Sequence, residues 1–151
     1  MGAIFVAHPF LTVMQLESLA DQAGVAISYD HTNDWLFADW YGEHNRETSQ
    51  AACLLLLDHL RQHSTTRILN DNSRILRTSI ELGEWSMWWL GEMRAAGLAA
   101  LAWVYPRNFA ARKATDAMLL RVNQPLIATF DELASAYSWL QTQRPSLAPH
   151  G

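Results

Sequence analysis

The sequence predicts a single α/β domain built on a mixed, mostly parallel sheet of about five strands with about four helices. Three observations carry this. Two β-rich runs stand next to each other near the start, as a hairpin requires. Strand-like and helix-like periods then alternate to the end, the pattern of parallel strands joined by helical crossovers. The second β-rich run is apolar on both faces, which implies a sheet covered on two sides.

The hairpin is formed by "VAISYD" (25–30) and "DWLFADWYG" (34–42), separated by His31, Thr32 and Asn33. In the second run Trp35, Phe37 and Asp39 alternate with Leu36, Ala38 and Trp40. From about Glu47 to His63 the period becomes helical, with Ala52, Cys53, Leu56, Leu57 and Leu60 on one face. "TRILN" is a short strand, and "NDNS" after it reads as a tight polar loop, because Asn, Asp and Ser bond their own backbone. "RTSIELGEWSMWWLGEMRAAG" reads as a helix closed by Gly97. Then come the continuous apolar strand "LAALAWVY", stopped by Pro106, and a helix capped by Asn108 that reaches towards Val122. "PLIATF" is the last strand, and Asp131 is expected to cap a final helix, "ELASAYSWLQTQ".

With 151 residues, half of them hydrophobic and 17% charged, the chain can bury a full core as one domain. Its boundaries read as an N-terminal extension (1–23), the domain (24–142) and a flexible tail (143–151). The net charge of −4 argues against a nucleic-acid partner. No segment has the roughly 20 apolar residues of a transmembrane helix. The start has no basic residue before its short apolar run, so it fits a secretion signal poorly. The single Cys53 lies in "AACLLLL", a setting for a buried thiol in a reducing, cytoplasmic compartment.

Catalytic signatures are sparse. There is no glycine-rich phosphate loop and no nucleophile elbow. His59 and His63 stand i, i+4 on one helix, but no third metal ligand has a recognised spacing from them. Asp30 and Asp34 read as turn formers. No catalytic residue, metal or cofactor is expected.

The better-placed residues lie where parallel strands end, since open sheets bind ligands beyond those ends. If the third and fourth strands are neighbours, Asp71, Asn72, Ser73 and Arg74 face Tyr105, Arg107 and Asn108 across one crevice. The plainer reading makes Asp71 or Ser73 a cap for the next helix, with Arg107 paired to Asp71. Ser73 and Thr78, near a helix N-terminus and two arginines, are the expected phosphorylation positions. On the tryptophan-rich helix, Leu82, Trp85, Trp89, Met93 and Ala96 share a core face, while Trp88 and Met87 fall off it. Those two are the expected interface, with a second copy of the chain or another protein as partner.

The element order, with "WLFADWYG", "RILNDNS" and "MRAAGLAALAWVYPRNF" in their places, resembles the bacterial STAS-like proteins, which have the SpoIIAA-like fold of anti-sigma-factor antagonists. The resemblance covers about residues 24 to 142 and is nearest to an uncharacterised branch of that superfamily. It implies a non-enzymatic regulatory domain that binds a partner protein or, in some members, a small lipophilic ligand. A ligand of that kind would sit between the tryptophan-rich helix and the sheet. The antagonists carry a phosphorylatable serine in an Asp-Ser-Ser-Gly stretch. Here the matching region reads Leu76-Arg77-Thr78-Ser79-Ile80, without the Asp or the Gly.

Overall fold

The computed structural model describes residues 14–78, 83–107 and 109–143. Six strands form one sheet in the order β1 to β6. They are β1 (Leu16–Gln22), β2 (Val25–Asp30), β3 (Trp35–His44), β4 (Arg67–Thr78), β5 (Ala100–Val104) and β6 (Leu126–Phe130). The β1–β2 and β2–β3 pairs are antiparallel, and the three pairs from β3 to β6 are parallel. Helices α1 (Arg46–Gln62), α2 (Glu84–Ala95) and α3 (Arg112–Leu119) make the three crossovers, and α4 (Leu133–Thr142) follows β6.

Strand alternation divides the core in two. Leu36, Ala38 and Trp40 of β3 pack with Leu56, Leu60, Trp89, Met93 and Leu119 from the crossover helices. Trp35 and Phe37 point to the other face, where Ala136, Tyr137 and Leu140 of α4 cover them. The result is three layers, with a single helix on the second face among the described residues. Arg67 is buried there: its guanidinium donates to the carbonyls of Asn33 and Leu140 and lies 5.1 Å from the Trp35 ring. Cys53 is partly exposed as a residue, but burial pushes its thiol up to about 12.

The Gly97 stop acts as read, and α1 also carries a cap that its period did not mark. Asn45 and Thr48 form a reciprocal capping box at the start of α1. Gly97, at φ +109°, closes α2: its N–H donates to Arg94 and that of Leu98 donates to Met93, a Schellman turn.

Four expectations need correction. Residues 16–22 are not an extension, because β1 pairs with β2 through a tight turn at Ala23 and Gly24, both at positive φ. A side chain at Gly24 would meet the His44 ring at 2.6 Å, so the close approach of β3 also requires glycine there. The "NDNS" stretch is not a loop, since β4 runs through it to Thr78. The tryptophan-rich helix is shorter than its period suggested, beginning at Glu84 after an N-cap glycine, Gly83. Asp131 does not cap α4, whose N-cap is Glu132, but pairs with Arg112. The expected cap at Asn108 and the helix position Leu82 lie outside the described residues.

Candidate functional site

The polar residues of β4 stay in a strand because β3 and β4 itself satisfy them. Asn70, Asp71 and Asn72 are all buried. The Trp40 indole donates to Asn70 Oδ1 at 2.7 Å, and Asn70 Nδ2 donates to Asn72 Oδ1 at 3.2 Å. On the other face, Asp71 Oδ1 accepts the backbone N–H of Ser73 at 2.9 Å. That local bond sits in a bulge: Asp39 pairs with Asp71 and Tyr41 with Arg74, so β4 carries one more residue than β3 between the two pairs.

The bulge gathers charge on the α4 face of the sheet, beyond the aromatic residues. Arg74 Nη1 lies 3.2 Å from Asp39 Oδ2, and its guanidinium sits over the Tyr41 ring at 5.5 Å. The Tyr41 hydroxyl donates to Asp21 of β1. Asp39 Oδ1 is buried without a hydrogen-bond partner. Burial, opposed by Arg74 and reinforced by Asp71 and Asp21, pushes the Asp39 carboxyl up to about 6.

A second polar group lies at the ends of β5 and β6. The Tyr105 hydroxyl donates to Asp116 Oδ1 at 2.6 Å, and the Thr129 hydroxyl to the same oxygen at 3.2 Å. Burial and that carboxylate raise the Tyr105 phenol above its usual value. Arg112 stands over the Tyr105 ring at 5.5 Å. Tyr105, Pro106, Arg107, Phe109, Arg112 and Asp131 line a cleft of about 450 Å³, with Arg107 exposed at its rim.

The single crevice expected from sequence is therefore two places. The hydrogen bonds and ion pairs described for Asp71, Asn72, Ser73 and Arg74 run within β4 or to β3. Tyr105 and Arg107 belong to the cleft, and Asn108 is outside the described residues. Arg107 and Asp71 do not form the expected pair, because Asp71 turns to its own strand. Neither Asp71 nor Ser73 caps a helix, and Ser73 and Thr78 lie within β4 rather than at a helix N-terminus. The helix-terminus half of the premise for phosphorylation at those positions falls with that, while Arg74 and Arg77 remain beside them in sequence. Asp39, Tyr41 and Asp21 were missed as a group, since only strand register makes them neighbours of β4.

Trp88 is 49% exposed on the outer side of α2, its ring 5.7 Å from that of Trp85. Met87 is half-buried and leans on the first core. The His59 and His63 rings are 6.1 Å apart, but His63 Nδ1 bonds the His59 carbonyl at 2.8 Å and its ring stacks on Tyr29. Among the described residues no three His, Cys, Asp or Glu side chains gather as a metal site, and no helix is long and apolar enough to cross a membrane.

No protein-family model and no curated protein matches the chain. Solved structures do. One is an uncharacterised DUF3478-family protein with a SpoIIAA-like fold from Shewanella loihica PV-4, at TM-score 0.52 and 19% identity. The match covers 82% of this chain and 99% of that one. Another is the anti-sigma factor antagonist SpoIIAA in its unphosphorylated form, at TM-score 0.47 and 15% identity over 85% of this chain and 97% of that one. The first likeness gives this chain a SpoIIAA-like fold, as the sequence resemblance implied.

Proposed function

We propose that the chain is a non-enzymatic, cytoplasmic bacterial regulatory domain of the STAS-like type, which acts by binding protein and pairs with a second copy of itself through the outer face of α2. The observation that carries this reading is Trp88, a large aromatic half in solvent beside Trp85. Aromatic anchors of this kind concentrate binding energy at protein interfaces, and one self-complementary patch is enough for a twofold dimer. The cleft with Tyr105 and Arg107 offers a second contact, with a cation at its rim for an acidic group of a partner.

The lipophilic-carrier reading has less behind it. Trp89 and Met93 fill the space between α2 and the sheet as core, and Trp89 Nε1 donates to the Cys53 carbonyl at 2.8 Å. The described cleft lies elsewhere, and two arginines and an aspartate stand in its wall.

Light scattering at tens of micromolar tests the proposal. Wild type should be a dimer. Trp88→Glu should be a folded monomer, because the side chain is outside the core. A wild type that is already monomeric at that concentration overturns self-pairing.

A further inference from the structure

The Asp39 carboxyl is unusual in this molecule. It is 9% exposed as a residue, its Oδ2 reaches Arg74 at 3.2 Å, and its Oδ1 is closed to solvent with no donor. Asp71 occupies the paired position on β4 and points to the same face of the sheet. Asp21 on β1 adds a third negative charge. The β2 residue paired with Asp39 is Ala26, which brings no charge. The groups around Asp39 are thus Asp21 from β1, Tyr41 on β3 itself, and Asp71 and Arg74 from β4. Three carboxylates meet one guanidinium. An enclosed carboxylate oxygen with no donor, amid an excess of negative charge, is stabilised by taking up a proton.

We propose that Asp39 and Asp71 form a carboxyl pair at the β3–β4 bulge with a proton held on Asp39, and that loss of this proton tightens the grip of Asp39 on Arg74. The proton moves between Asp39 and bulk water, with no other reactant. Below the transition Asp39 is neutral, and Asp71 Oδ1 accepts the Ser73 N–H. Above it, Asp39 becomes an anion beside a second anion, and Arg74 is the nearest cation to offset both. The bulged outer half of β4 is then fastened to β3 by a charged contact that is weaker in acid. Burial and Asp71 both lift the Asp39 carboxyl, to about 6, which places the change close to neutrality.

Carbon-13 carboxyl NMR of the full chain between pH 3 and 8 tests this. Asp39 should titrate at least one unit above an ordinary aspartate, which lies near 3.9. The Arg74 guanidinium nitrogens should shift with the same midpoint. Asp71→Asn should lower the Asp39 midpoint, and Arg74→Gln should raise it. An Asp39 midpoint near 4 overturns the proposal, and so does an unchanged midpoint in Asp71→Asn, which would leave burial as the whole cause. Should Asp71→Asn fail to fold, the wild-type Asp71 carbon decides: a second inflection at the Asp39 midpoint supports the pair, and its absence overturns it.

Discussion

Asp30 and Asp39 are both buried aspartates on neighbouring strands of the hairpin, and they are treated in opposite ways. Asp30 is fully enclosed, but the chain surrounds it with donors. The N–H groups of Gln15, Thr32 and Asn33 reach Oδ1 at 3.3, 3.0 and 3.3 Å, and Asn33 Nδ2 reaches Oδ2 at 2.7 Å. Asp39 has one cation on one oxygen and nothing on the other. Asp30 ends a strand, where the turn turns its free N–H groups towards the side chain. Asp39 lies inside β3, where the backbone N–H groups are engaged in ladders with β2 and β4. Two buried carboxyls therefore end differently, one fully hydrogen-bonded at a turn and one with a bare oxygen within a sheet. The supply of backbone donors decides which.

The largest effect expected from this contrast is at Asp30. Asp30→Ala would strip the acceptor from four donors at once, and buried donors left without partners cost about 1–3 kcal/mol each before relaxation. Some of them can reach water, so a net loss of about 3–5 kcal/mol in urea unfolding is expected. A loss under about 1 kcal/mol would show that the turn is held by other contacts, such as the Asn33–Tyr137 bond at 2.9 Å.

Asp39 predicts a pH effect of defined sign. Its folded value, about 6, is above the unfolded value of 3.8, so the folded state holds the extra proton between them. Stability from this group is full below the unfolded value and is lost as pH rises through the folded one, by about 3 kcal/mol in all. His59 acts in the opposite direction, since burial and His63 lower its imidazole and stability rises with pH as that group loses its proton. The comparison with Asp39→Asn isolates the aspartate. Between pH 4 and pH 7 wild type should lose about 2–3 kcal/mol relative to the variant. Parallel profiles for the two proteins would remove Asp39 as the cause.

The hairpin and the crossover helices could be read from the chain because their signals are local. The two-sided apolar run of β3, the face of α1 and the Gly97 stop each depend on residues near one another. The Asp39 cluster could not be read that way. Its members stand on β1, β3 and β4, and α1 separates Asp39 from Asp71, so only the register of the finished sheet makes them neighbours. "NDNS" misled for a related reason. Its side chains favour a turn when they have only their own backbone to bond, but the Trp40 indole and the long β3 give them partners in an extended strand. The run "SRILRT" held the available signal, since buried Ile75 returns to the core side within it. The β1 strand hid behind the bulge between Ser18 and Ala20, which breaks the alternation that would have marked it.

The smallest expected effect is at Arg74, and it sharpens the contrast most. Its ion pair with Asp39 is half open, with the arginine side chain 51% exposed and the aspartate 13%. Such a pair contributes at most about 1 kcal/mol. The contribution depends on the charge of Asp39, whereas the packing of the guanidinium over Tyr41 does not. Arg74→Gln should therefore cost about 0.5–1 kcal/mol at pH 8, where Asp39 is an anion, and close to nothing at pH 5, where it is neutral. Equal losses for Arg74→Gln at pH 5 and pH 8 would mean that the arginine works through the tyrosine ring. The contrast between the two aspartates would then be one of hydrogen bonding alone.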